Sequence, residues 1–214
     1  MFKTLSLFTV LLLPMARAFG QNAWELRTEK EGIRIYTGEV PNSKIRAVKV
    51  DFNVKTTLSA LVAVVMDIKA CPEWLYHTKS CTIIKQVSPQ EVYYYSEISL
   101  PWPAENRDFV DHLTVKQDPE TKVVTINGPA IKGMVPLKTG IVRVADSKSK
   151  WVITPLTNGE LAVEYTLHVD PGGGLPAWLV NLFAAQGPLA ITRSLRLQVQ
   201  KPAYRNITLS YIKD

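Results

Sequence analysis

The side chains able to do chemistry are few and scattered. Cys71 and Cys81 bracket a short loop containing Pro72, Trp74 and His77. Such a pair suits a disulfide in an oxidising compartment, or two buried thiols that act as small hydrophobes. A catalytic thiol would need a third group to orient His77 as a base, and none is evident. Glu97, Asp111 and a tyrosine such as Tyr95 are the set that could carry general acid-base catalysis. His112 and His168 have no companion at ligand spacing and no Gly-x-Ser-x-Gly elbow occurs, so no catalytic residue, metal or cofactor is assigned. Gly172, Gly173 and Gly174 precede a helical stretch, but no Lys-Ser/Thr follows and prolines flank them; this is turn chemistry rather than a phosphate cradle.

These groups sit in a chain of 214 residues, 46% hydrophobic and 21% charged, which suits one globular domain. Lys and Arg number 25 against 19 Asp and Glu, a formal charge of +6 with no run of like charges, so nucleic acid is not an expected partner. Lys3, the apolar stretch Leu5 to Leu13 and Ala16-Arg17-Ala18 have the order of a secretory signal peptide, cleaved after Ala18 or after Gly20. The apolar run falls short of the roughly 20 residues that a bilayer requires. Loss of Lys3 and Arg17, with no acid, leaves +4. An exported, soluble, periplasmic or secreted monomer is therefore expected.

Alternation predicts a hairpin over 32–40 and 45–54, with Pro41-Asn42-Ser43 between its strands. Leu58, Leu61, Val62, Val65 and Met66 change the period to helical, giving a helix over 57–68 and a second short one around 70–76. Strands follow at 81–87, 91–100, 107–117, 122–127, 139–145, 150–155 and 160–169. Turn residues such as Asp118-Pro119, Asp146-Ser147 and Asn158-Gly159 separate them. A long helix runs from Ala177 to about Gln200, with Gly187-Pro188 as a kink site. The order implies one α+β domain over 22–202, a curved antiparallel sheet against one helix with an interior gap. A tail over 203–214 could add an edge strand through Ile207, Leu209 and Tyr211.

Three motifs fall in a telling order. Ser96-Glu97-Ile98-Ser99-Leu100-Pro101-Trp102-Pro103 precedes Asn106-Arg107-Asp108-Phe109-Val110. Trp151-Val152-Ile153, Pro155-Leu156, Asn158-Gly159 and Glu164-Tyr165 come next, and Asp170-Pro171-Gly172-Gly173 leads through Leu175-Pro176-Ala177-Trp178-Leu179-Val180-Asn181. Together, over residues 24–201, they resemble the StAR-related lipid-transfer (START) domains. The resemblance implies a helix-grip fold, a sheet wrapped around the C-terminal helix, with a hydrophobic tunnel that holds one lipid.

On that resemblance the cavity face carries Tyr93, Tyr95 and Glu97 from one strand and Phe109, Asp111 and Leu113 from the next, roofed by Trp178, Leu182 and Phe183 at helical spacing. The family often pairs a glutamate at the Glu97 position with an arginine six residues beyond the Arg107 position, where this chain has Leu113. Glu97 then needs another donor, such as Arg143 or a tyrosine hydroxyl, or stays hydrated. Loss of the ion pair favours a weakly polar ligand, a sterol, fatty acid or other apolar lipid. Arg107 and Asp108 read as a structural pair at a strand start. A gate is expected where the 117–122 hairpin, the 146–150 turn and the 172–176 turn approach the last helix, with Gly172, Gly173 and Gly174 as the hinge. Lys116, Lys122, Lys148 and Lys150 near those turns suit transient contact with an anionic membrane surface. The expected function is non-catalytic binding, and intermembrane transfer, of a lipid or sterol-like ligand. The alternative is a cyclase-like enzyme using the same cavity with Glu97 and Asp111.

Overall fold

Threonine, aromatic and β-branched residues at alternate positions make strands the main regular structure of this chain. The computed structural model describes residues 24–175 and 177–214, and the side chains of 177, 178, 181–183 and 185 fall outside that description. So do the expected leader and its cleavage site, and the side chains of Trp178, Leu182 and Phe183.

Ten strands are formed: β1 (Glu25–Lys30), β2 (Ile33–Gly38), β3 (Ala47–Val54), β4 (Thr78–Ser88), β5 (Glu91–Ile98), β6 (Asn106–Gln117), β7 (Val124–Pro129), β8 (Ile141–Arg143), β9 (Asp146–Pro155) and β10 (Leu161–Asp170). Helix α1 (Leu58–Met66), a 3-10 turn (Ile68–Ala70) and α2 (Cys71–Trp74) lie between β3 and β4, and α3 (Ala177–Gln198) closes the fold. The sheet order is β1-β2-β3-β10-β9-β7-β6-β5-β4, antiparallel throughout, with β8 added in parallel beside the start of β6. The architecture is the helix-grip fold that the resemblance implied.

Strand β1 was not anticipated, because Glu25–Lys30 carries a lone apolar residue, Leu26, and lies exposed at the sheet edge. Asp146-Ser147 is not a turn. It opens β9, where Asp146 and Ser147 pair with Asp170 and Val169. The turn at Asn158-Gly159 is as expected, and Gly159 has the positive φ of +75° that a side chain would resist.

Along β5, β6, β9 and β10 one inward row passes from a solid interior to a hollow one. At the solid end Leu113 and Val115 of β6, Ile153 of β9 and Val163 of β10 pack with α1 and with Leu195 on the last turns of α3. At the other end the sheet and the first half of α3 stand apart.

Segment 203–214 forms turns rather than an edge strand. Tyr204 and Ile212 are buried, and the Tyr204 hydroxyl donates to Asp67 at 2.9 Å. Thr57 caps α1 by accepting from the Ala60 N–H, and Asp214 supplements it by accepting from the Ser59 N–H at 2.8 Å and the Ser59 hydroxyl at 2.7 Å. A carboxylate there also meets the positive end of the helix dipole. Asp214→Ala should therefore lower the unfolding free energy by about 1–2 kcal/mol, read from urea denaturation. An unchanged midpoint would mean that Thr57 caps the helix alone.

Candidate functional site

The hollow end encloses a cavity of about 300 Å³ with a predominantly apolar wall. Strand β5 supplies Tyr94, Ser96 and Ile98, and β6 supplies Arg107, Phe109 and Asp111. Opposite them stand Val48 of β3, Ser147 and Ser149 of β9, and Tyr165, Leu167 and Val169 of β10. Leu75 and Tyr76 after α2 close one side, and Leu179, Val180, Ala184, Pro188 and Ile191 of α3 form the roof. The register fixes depth. Arg107 pairs with Ile98 near the rim, and Asp111 pairs with Tyr94 where the wall meets the core residues Val92 and Leu113. Trp151 packs against Tyr165 with tilted rings whose centroids lie 4.2 Å apart, so the floor is aromatic.

Phe109 and Asp111 are thus placed on the cavity wall, whereas Tyr93, Tyr95 and Glu97 belong to the opposite face of β5. Tyr93 stacks on His112 at 4.1 Å, and Lys138 lies over the Tyr95 ring at 4.1 Å. Glu97 accepts from Lys79 at 2.8 Å and from Asn106 at 2.9 Å. The Lys79 ammonium holds its carboxyl below the ordinary range. Its partner is therefore neither Arg143 nor a tyrosine hydroxyl. The alternation was right, but the wrong face was taken as inward. Leu113 belongs to the solid core beside Gly128, where an added Cβ would lie 2.7 Å from Leu113 Cδ2. With Glu97 and Asp111 on opposite faces of the sheet, the two cannot flank one substrate as acid and base.

Arg107 and Asp108 do not pair. Asp108 is gripped by Arg143 through Nε at 2.6 Å and Nη2 at 3.0 Å, and the same guanidinium donates to the Val135 and Pro136 carbonyls. The fork thereby holds loop 130–140 beside β6. Arg107 instead donates from Nε to the Pro171 carbonyl at 2.7 Å, from Nη2 to Gly172 at 3.1 Å and from Nη1 to Glu105 at 2.6 Å. It clamps the turn that leads into α3. Gly172 and Gly173 adopt φ of +60° and +66° there, conformations open to glycine at little cost. Of the three segments expected at the gate, this turn reaches the rim, as does the start of the 146–150 segment, where Asp146 pairs with Asp170 and Ser147 lines the cavity. The 117–122 hairpin lies about 30 Å away at the other end of β6, where Gln117 donates to the Lys213 carbonyl. Lys116 and Lys122 share that remote end, and Lys148 and Lys150 lie within β9. Sequence reasoning missed the rim's exposed apolar residues, Trp102 at 91% and Leu137 at 76% exposure. Trp102, in a proline corner that no core contact requires, was the available signal.

Asp111 is the acidic residue on the cavity wall, and burial pushes its carboxyl up to about 7 against a smaller downward pull from the Tyr94 hydroxyl. Burial, aided by the Asp111 charge, raises the phenols of Tyr94 and Tyr165. Cys71 and Cys81 are free thiols. A hydrogen bond with Cys81, and then burial, push the Cys71 thiol far up, which leaves it a poor nucleophile. Among the described residues no cluster of His, Cys, Asp and Glu could hold a metal ion.

The comparisons with known proteins bear on what this cavity is. An uncharacterized protein of Pseudomonas aeruginosa is 28% identical over 83% of this chain and 87% of its own length. The phosphatidylcholine transfer protein of Bos taurus is 28% identical over 77% of this chain and 78% of its own. The crystal structure of a STAR-related lipid transfer protein fragment from Xanthomonas axonopodis superposes with a TM-score of 0.76 at 29% identity, covering 83% of this chain and 99% of that one. The START domain model matches residues 13–204. A family match over nearly the whole chain agrees with the grip of the sheet on α3, and the protein belongs to the START domain family.

Proposed function

We propose that this protein binds one lipid or sterol-like molecule in the cavity between the sheet and α3 and carries it between membranes, as a non-catalytic monomer outside the cytoplasm. The observation that carries the reading is the cavity itself. Side chains that could have filled it are held back on β5, β6, β9 and β10 at one end, while the other end of the same strands is solid. Membership of the START family and the names of its lipid-transfer relatives support it. Burying an acyl chain of about 16 carbons recovers on the order of 13 kcal/mol, close to what the lipid loses on leaving a bilayer. Transfer then runs in either direction, and opening of the mouth sets its rate.

The N-terminal sequence Met1 to Ala18 supports export. In an oxidising compartment Cys71 and Cys81, already in side-chain contact, are placed to form a disulfide between α2 and β4. Membrane contact is assigned to the rim, where Trp102 and Leu137 project from loops on either side of the start of β6. Large apolar side chains exposed this far on a soluble surface mark interaction sites.

Purified protein should carry a co-purified lipid detectable by mass spectrometry, and should extract lipid from vesicles. Finding neither would sink the proposal. Trp102→Ala combined with Leu137→Ala should slow vesicle-dependent extraction about tenfold or more while leaving the fold intact by circular dichroism. An unchanged extraction rate would move membrane contact elsewhere. Mass spectrometry of the protein from its native source should show a chain beginning after Ala18 or Gly20 in the extracytoplasmic fraction.

A further inference from the structure

The cavity wall is predominantly apolar, yet its floor holds an acid. Asp111 is 8% exposed and stands on the inward row of β6, one step above the solid core, across from Tyr94. The ionisable groups that face it are Tyr94 on β5, Tyr165 on β10 and Cys71 on α2, and none of them is a cation. The two arginines on the wall are engaged elsewhere. Arg107 at the rim is taken up by backbone carbonyls, and Arg46 by Glu25 and Thr37. A floor of this kind rejects an anion, because a carboxylate or phosphate placed against Asp111 would meet like charge in a medium of low dielectric. It is also poorly suited to a methyl terminus, which would leave the carboxyl to the Tyr94 hydroxyl with its remaining lone pairs unsatisfied. A hydroxyl suits both protonation states of Asp111, donating to the carboxylate or accepting from the protonated acid. An ammonium group would have to shed its hydration on an apolar wall, a cost that pairing with a buried carboxylate commonly fails to recover.

Given lipid binding in this cavity, we infer that Asp111 is a specificity determinant for ligands that enter polar end first, and that this end is an uncharged alcohol rather than a carboxylate, phosphate or amine. Chain length and ring structure are then read by the apolar wall, and the hydroxyl by Asp111 with Tyr94 beside it.

The test is calorimetric titration of the full chain with dodecanol, dodecylamine and dodecanoate at mildly alkaline pH, repeated with Asp111→Asn and Asp111→Leu. The wild type should prefer the alcohol to the acid by about tenfold or more. Asp111→Asn keeps an acceptor and a donor without charge, so it should retain alcohol binding and admit the acid. Asp111→Leu should bring the two within about twofold. Equal or tighter binding of dodecanoate by the wild type would overturn the inference, as would a preference unchanged in either variant. Tighter binding of the amine than of the alcohol would replace the assignment with a cationic one. If all three bind equally, lipid binding stands and the role of Asp111 falls; if none binds, both fall.

Discussion

Asp111→Asn should stabilise the protein by up to about 4 kcal/mol near pH 8 and change its stability little near pH 4. The native carboxyl is held at about 7 by burial, whereas in the unfolded chain it returns to its ordinary 3.8. A folded value above the unfolded one means that the native state binds the extra proton. Its contribution to stability is complete below about 4 and disappears as the pH rises through about 7. Above that window the wild type keeps an ionised carboxyl on an apolar wall, and the asparagine variant does not. The measurement is the unfolding free energy from urea titrations at several pH values, taken as variant minus wild type. A difference that stays constant across the window would show that Asp111 is not titrated by folding. Added dodecanol should shrink the difference near pH 8, since it supplies the carboxylate with a donor.

Arg107→Leu should accelerate release of a bound fluorescent lipid to acceptor vesicles by about two orders of magnitude. The guanidinium ties the α3 lead-in to β6 through the Pro171 and Gly172 carbonyls. Hydrogen bonds from a charged donor contribute about 1.5–3 kcal/mol each. Losing two of them shifts the opening equilibrium of the turn by about 3 kcal/mol, or about a hundredfold. Arg107→Lys keeps the charge without the fork and should fall between the two. The residue is buried, so each variant must first retain its strand signal by circular dichroism. Release at the wild-type rate from a folded variant would remove this turn from the gate.

How far the sequence could be read depended on what each signal encodes. Periodicity reported on neighbours in the same element, and it located β3, α1, β5, β6, β10 and α3 to within a few residues. It could say that Tyr93, Tyr95 and Glu97 share a face, and the opposite face with Val92, Tyr94 and Ile98 is the more apolar one; the family's cavity glutamate at the Glu97 position pointed the other way. Strand β6 is buried on both sides from Arg107 to Asp111, which removes contrast there. The tie between Arg107 and Pro171 spans 64 residues, a separation that no local pattern announces. Asp146-Ser147 has turn chemistry, yet pairing with β10 overrides it. The departure at Leu113 was legible, and it correctly removed the family's ion pair. The acid that stands in the cavity instead, Asp111, was legible as a wall residue but not as the floor.

The passage of β5, β6, β9 and β10 from a packed interior to a hollow one has a consequence for local stability. Backbone hydrogen bonds in β10 are continuous from Leu161 to Asp170, yet the side chains beneath them change from Val163, set in the core, to Leu167 and Val169, which face open volume. Amide protection should therefore decline along a single unbroken strand, as cooperative opening begins at the hollow end. A bound molecule supplies the missing contacts, and it raises protection there by mass action before the solid end changes at all. In that sense the ligand is the last piece of the hydrophobic core, delivered from outside after the chain has folded.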